Sequence, residues 1–124
     1  MKSILIVDDS HTVRKLVCKV LKDGDYRFDE AVDGVEALEM SRQKNYDLVI
    51  TDEHMPNMKG LELIENLRKL DVYQATPIIV LSTDSDPTLR QKGRELGATG
   101  WIQKPLNPNT FDAIIESLLD AEPA

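Results

Sequence analysis

The chain carries a single cysteine, Cys18, so no disulfide can form within it. That suits a reducing compartment and excludes the small disulfide-stapled class of domain. Apolar runs are short, and none approaches the ~20 residues needed to span a membrane as a helix. Met1-Lys2-Ser3 leads into four aliphatic residues and then two aspartates, too brief a stretch for a secretory leader. Positive charge is also in deficit: 15 basic residues face 22 acidic ones, for a net charge of −7. A surface of that sign argues against direct binding to nucleic acid or anionic lipid and suits protein partners with basic faces. The expectation is a cytoplasmic protein. Tryptophan occurs once, as Trp101, so intrinsic indole fluorescence has one source.

What is present is an ordinary globular composition, 41 % apolar and 30 % charged. The 124 residues fit one domain, expected over residues 1–124, with no linker, repeat or low-complexity segment. Cys18 falls inside an apolar helical pattern and is expected to be a small core residue. The tail Ala121-Glu122-Pro123-Ala124 is expected to fray.

Four aliphatic runs read as strands: Ile4 to Val7, Leu48 to Thr51, Ile78 to Leu81, and Gly100 to Gln103 around Trp101 and Ile102. A weaker one spans Arg27 to Val32. Apolar runs without alternation suit strands covered on both faces, as in a parallel sheet. Helical patterns lie between them. Val13, Leu16, Val17, Val20 and Leu21 keep an amphipathic spacing, with Ser10 placed to cap. Asp33-Gly34-Val35-Glu36 resembles a capping box ahead of Ala37, Leu38 and Met40. Leu61, Ile64 and Leu67 mark a third helix. Asp86-Pro87 opens a fourth, and Asn107-Pro108 a fifth with Phe111, Ile114, Ile115, Leu118 and Leu119. Five β-α repeats predict an α/β, doubly wound five-stranded parallel sheet with five helices and right-handed crossovers. The fourth helix offers chiefly Leu89 and Leu96 to a core and carries Gly93, so shallow packing is expected.

In such a sheet, ligands bind beyond the carboxyl ends of the strands. Asp8 and Asp9 follow the first strand, Asp52 the third, Ser82 and Thr83 the fourth, and Lys104 the fifth. These groups should meet on one rim. Carboxylates that crowd together repel unless a cation intervenes, and Mg²⁺ favours hard oxygen ligands and phosphate. Asp9 and Asp52 suit that ion directly, Asp8 through water, and the backbone carbonyl of His54 could add a ligand. Lys104 would balance charge and hold a phosphoryl oxygen, and Ser82 could hydrogen-bond another.

Four stretches carry a family resemblance: Ile4-Leu5-Ile6-Val7-Asp8-Asp9-Ser10, Asp47 through Gly60, Pro77 through Thr83, and Gly97 through Pro105. In this order and spacing the chain resembles the receiver domain of two-component response regulators over essentially its full length. The resemblance implies a flavodoxin-like sheet in strand order 2-1-3-4-5. It also implies that Asp52 is the phosphoacceptor, Asp8 and Asp9 the acidic pair for Mg²⁺, Ser82 the switch hydroxyl and Lys104 the site lysine. Trp101 stands at the switch aromatic, and a cis Lys104-Pro105 bond is implied. Thr83 is bulkier than the residue often found after the switch serine and would restrict access. His54 and Asp84 each lie two positions beyond a site residue, on the route of an attacking water.

A histidine kinase is then the implied donor, and output is by binding a downstream protein. The likeness is greatest to the stand-alone chemotaxis kind, whose target is the flagellar motor switch. A phosphatase that removes the group is a further implied partner. The chain is expected to be a monomer, with a dimer on phosphorylation left open, and not an enzyme beyond its own phosphorylation and dephosphorylation. Three other readings stand beside this one. A phosphorelay intermediate or phosphate sink shares the chemistry. A Mg²⁺-dependent aspartyl phosphatase would need a second acid where His54 stands. A flavodoxin-like cofactor binder would need a phosphate-cradling loop where Asp8-Asp9-Ser10 lies.

Overall fold

The aliphatic runs become the central strands of the computed structural model, which describes residues 1–120; the expected fraying tail lies outside the described residues. The strands are β1 (Lys2–Val7), β2 (Tyr26–Ala31), β3 (Leu48–Thr51), β4 (Ile78–Ser82) and β5 (Gly100–Gln103). All pairs are parallel, in the order β2-β1-β3-β4-β5. Five helices connect and close them: α1 (His11–Val20), α2 (Gly34–Gln43), α3 (Gly60–Arg68), α4 (Pro87–Leu96) and α5 (Pro108–Asp120). A single 3₁₀ turn, Asp71–Tyr73, precedes β4.

Alternation along each strand divides the core in two. Leu5, Val7, Val49, Ile78 and Val80 face Ala37 and Leu38 of α2 and Leu61, Leu63, Ile64 and Leu67 of α3. Ile4, Ile6, Leu48, Ile50, Ile79 and Leu81 face Val17 of α1 and Phe111, Ile115 and Leu119 of α5. Each fully buried Leu or Ile contributes about 1.5–3 kcal/mol of transfer free energy. The three central strands, β1, β3 and β4, carry unbroken aliphatic runs, Ile4 to Val7, Leu48 to Ile50 and Ile78 to Leu81, because both faces are covered there. β2 is one of the two edge strands, with β5 the other, and keeps Arg27, Asp29 and Glu30, which is why its pattern reads weakly; it begins at Tyr26 and ends at Ala31, one residue earlier than expected at each end.

Caps fix where four of the helices start. Ser10 Oγ accepts from Val13 N–H, Asp33 from Glu36 N–H, Asp86 from Thr88 N–H, and Asn107 Oδ1 from the N–H groups of Asn109 and Thr110. Glu36 also returns a bond to Val32 N–H, close to the expected capping box. α4 packs as thinly as expected: Gly93 is its buried residue, while Leu89 and Leu96 are partly buried against the α2–α3 side of the core. A Cβ at Gly93 would press on the Trp101 ring at 3.0 Å and on Leu61 at 3.1 Å, so the glycine is what lets α4 lie close. The C-terminal end of α4 is firmly held. Arg68, the last residue of α3, donates twice to the Gly97 carbonyl at 3.2 and 2.7 Å, and to the carbonyls of Thr76 and Tyr73.

Two helix expectations need correction. Leu16 is 43 % exposed rather than inward. Cys18 is half-buried, on the flank of the α1–α5 core, and burial pushes its thiol pKa up, away from reactivity.

Candidate functional site

The parallel ladder extends past the strands and sets the rim. Asp8 N–H donates to Ala31 O at 3.1 Å, Asp52 N–H to Val7 O at 2.9 Å, and Lys104 N–H to Ser82 O at 2.8 Å. Each of these residues is therefore held by its neighbouring strand at the same end of the sheet. Carboxylate oxygens of Asp8, Asp9 and Asp52 lie within 4.8 Å of one another. Asp8 and Asp52 are buried and Asp9 is exposed, so the cluster opens to solvent on one side.

Lys104 reaches into this cluster. Its Nζ lies 2.8 Å from Asp8 Oδ2 and 3.3 Å from Asp52 Oδ2. Burial alone would lower the ammonium pKa, but the contacts with Asp8 and Asp52 outweigh it and the net shift is upward. The peptide Lys104–Pro105 is cis, as the resemblance implied. Asp8 Oδ1 accepts from Ser10 N–H at 2.9 Å, and its main-chain oxygen from Arg14 Nη1 at 2.7 Å. Asp52 Oδ1 accepts from Glu53 N–H at 2.7 Å. Three carboxylates against one ammonium leave two negative charges uncompensated. All the donors are hard oxygens, and one side is open to water and phosphate, so the residues fit a divalent cation of the Mg²⁺ kind.

The remaining predicted residues lie at and beyond the ends of β3 and β4 and on β5. Ser82 is fully buried at the end of β4, and its Oγ accepts from Asp84 N–H at 3.2 Å. Thr83 beside it is exposed. Trp101 is partly buried, with its indole N–H bonded to Asp84 O at 2.9 Å. His54 is exposed in the loop after Asp52, and its Nε2 meets Asp84 Oδ2 at 2.8 Å. The hydrogen bond from His54 is the main cause of a lowered Asp84 pKa.

Two features escape a reading of the sequence. Asn57 adopts a left-handed φ of 68° and donates from Nδ2 to Asp33 at 2.6 Å, while Met58 O accepts from Gly34 N–H at 3.2 Å. These bonds stitch the loop after Asp52 to the start of α2. Glu53, next to Asp52, is only 4 % exposed, and its carboxylate accepts from Leu61 N–H at 2.7 Å. Burial pushes the Glu53 pKa up.

A flavodoxin-like sheet in this strand order, with an acidic rim where a phosphate-cradling loop would stand and a lysine reaching into it, defines a receiver-type protein. The chain belongs to the response regulator receiver domain family, whose model matches residues 4–116. It is 31 % identical over 118 residues to the chemotaxis protein CheY-3 of Vibrio cholerae, covering 94 % of this chain and 91 % of that protein. It is 35 % identical over 116 residues to the transcriptional regulatory protein ResD of Bacillus subtilis, covering 94 % of this chain and 47 % of that one. The chain spans about half the length of ResD and of the probable transcriptional regulator ycf29 of Porphyra purpurea, at 47 % and 56 %. The crystal structure of chemotaxis protein CheY4 of V. cholerae superposes with a TM-score of 0.90 at 39 % identity, covering 96 % of this chain and 99 % of that one. Among the described residues, no helix is long and apolar enough to cross a membrane.

Proposed function

We propose that this receiver domain accepts a phosphoryl group on Asp52 from a histidine kinase and signals by binding a downstream protein. The observation that carries the reading is Lys104, whose ammonium joins Asp8 and Asp52 inside a cluster of three carboxylates. In the transfer, a carboxylate oxygen of Asp52 forms a bond to phosphorus as the P–N bond to the donor imidazole breaks. Lys104 has a counter-charge role: it holds acidic oxygens now and can hold a phosphoryl oxygen afterwards. Asp8, Asp9 and Asp52, with the His54 carbonyl, are the residues that would hold Mg²⁺. Bound there, that ion supplies neutralisation of charge on the transferring oxygens.

The new group brings roughly −1.5 to −2 charges and strong acceptors to the rim. Ser82 is placed to answer it, since its hydroxyl ends β4 on the same rim. A shift of Ser82 then reaches Trp101 through Asp84, and biases a population of output surfaces that already exists. The chain would catalyse its own phosphorylation and dephosphorylation and no foreign turnover. Similarity to the chemotaxis proteins CheY-3 and CheY4 over nearly the whole chain supports a chemotaxis role. The flagellar motor switch as target and a cytoplasmic location are part of the same proposal.

The test is phosphorylation of the wild-type chain and Asp52→Asn, read by intact mass, with Mg²⁺ and a phosphorylated kinase. Labelling that vanishes in Asp52→Asn and with a chelator is expected. Full labelling of the variant would remove Asp52 from its role.

A further inference from the structure

Four of the five helices begin with a side chain that caps them, and α3 does not. Its N-cap residue is Lys59, with extended backbone at φ −76° and ψ 163° and no side-chain cap bond. The missing acceptor comes from Glu53, whose Oε1 takes the Leu61 N–H at 2.7 Å from eight residues upstream. Glutamate is seldom this buried unless it is paired, and at 4 % exposure Glu53 is fixed by that contact. The positive end of the α3 dipole favours a carboxylate there.

The same residue makes two further bonds through its main chain. Its carbonyl accepts from Gly60 N–H at 3.0 Å. Its N–H donates to Asp52 Oδ1 at 2.7 Å. Glu53 is thus pinned to α3 at its carbonyl and its side chain, and it holds one oxygen of Asp52. Lys104 holds the other.

We propose that Glu53 is a positioning residue for phosphoryl transfer: its buried carboxylate, by gripping the first turn of α3, fixes the main-chain N–H that orients the Asp52 carboxylate. The proposal rests on Asp52 being the phosphoacceptor. Without the side-chain grip, the peptide between Asp52 and Glu53 is held only by the Thr51 hydroxyl and the Gly60 N–H, the donor to Oδ1 loosens, and Asp52 samples rotamers unsuited to in-line attack.

Capping of α3 and orientation of Asp52 can be separated experimentally. Lys59 has the extended backbone of an N-cap, so Lys59→Asp gives α3 a conventional cap without restoring the side-chain hold on Glu53. Initial phosphorylation rates with acetyl phosphate and Mg²⁺, and melting temperatures, are measured on the full chain. The set is wild type, Glu53→Ala, Glu53→Gln, Lys59→Asp and the double variant Glu53→Ala/Lys59→Asp. Glu53→Ala is expected to lose stability and about tenfold in rate. Glu53→Gln keeps the acceptor oxygen and should stay near wild type. The double variant should regain the melting temperature but not the rate.

Recovery of the rate along with stability would make Glu53 a helix cap and nothing more, and would overturn the proposal. So would a Glu53→Gln rate as low as that of Glu53→Ala, or a Glu53→Ala rate equal to wild type. Absence of labelling in the wild type itself would instead overturn the function proposed for Asp52.

Discussion

The indole nitrogen of Trp101 and the carbonyl oxygen of Asp84 are joined at 2.9 Å, while the Asp84 N–H is bonded to Ser82 Oγ at 3.2 Å. One residue therefore connects the hydroxyl at the end of β4 with the single tryptophan on β5. Any movement of Ser82 towards the rim must break or drag this connection. Beryllofluoride with Mg²⁺, a mimic of the phosphoryl group, is expected to shift Trp101 emission in the wild type and leave Asp52→Asn unchanged. An equal shift in both would detach the tryptophan from the site.

A second bond ties the same loop to the other side of the site. His54 Nε2 and Asp84 Oδ2 lie 2.8 Å apart, bridging the loop after Asp52 and the loop after Ser82. The proposed function expects this pair to flank the approach of water to a phosphoryl group on Asp52. Once phosphorylated, His54→Ala and Asp84→Ala should lose the group severalfold faster than wild type. The decay of phosphoprotein mass after removal of the donor measures it, and slower decay in both variants would reverse the assigned role.

Lys104 is half-buried between two acids, and the proposed function assigns it the role of carrying the result of phosphorylation outward. Lys104→Ala should still label at Asp52 but bind its downstream partner no better when labelled. Isothermal titration of both forms against that partner decides the point, and a normal gain in affinity would argue that Lys104 is dispensable.

Close packing at the acceptor predicts a costly glycine substitution. A Cβ at Gly60 would collide with the Asp52 carbonyl oxygen and lie 3.1 Å from Glu53 Cα. Gly60→Ala should destabilise the fold by about 1–3 kcal/mol through overpacking. It should also slow phosphorylation, because backbone on both sides of the acceptor peptide has to move. Urea unfolding and initial labelling rates test the two effects together.

Acid should unfold the chain through carboxylates outside the three-aspartate cluster. Asp33 is lowered by the Glu36 N–H and Asn57, Asp29 by hydrogen bonds from Tyr46 and Lys44, and Glu30 by Lys15 and Arg14. A lowered pKa in the folded state gives stability that is present above the unfolded value and disappears as pH falls through the folded one. Melting temperature should therefore hold down to about pH 5 and decline below about pH 4. Asp33→Asn, which still caps α2, should flatten part of that decline; an unchanged acid limb would show that Asp33 does not contribute to it.

The sequence made the sheet readable because β1, β3 and β4 are buried on both faces, and burial leaves an unbroken aliphatic run. It misled at α1 for a geometric reason. With about 100° of turn per residue, Leu16 and Cys18 sit on opposite flanks of the direction set by Val17. Both join the apolar stripe on paper, yet in the fold only its centre is covered. The acidic rim was legible because each member follows a strand. Glu53 was not, since its partner Leu61 is defined by the return of the chain in α3. A hint was available in Lys59, a poor cap at the start of a helix whose neighbours all have good ones. The pairing of His54 with Asp84 likewise needed the spacing of two loops, although each residue had been placed beside the site.

Arg68 gives the molecule a mechanical asymmetry. Its guanidinium clamps the carbonyl of Gly97, and with it the far end of α4, to the end of α3 and the segment before β4. The near end of α4, at Asp86 and Pro87, is joined to the rim by the short loop that carries Asp84. A helix fastened at one end and loosely packed along its length behaves as a lever with its fulcrum at Gly97. A small displacement of the Asp84 loop is then turned into a swing of Pro87, Thr88 and Gln91, largest at the tip and vanishing at the clamp.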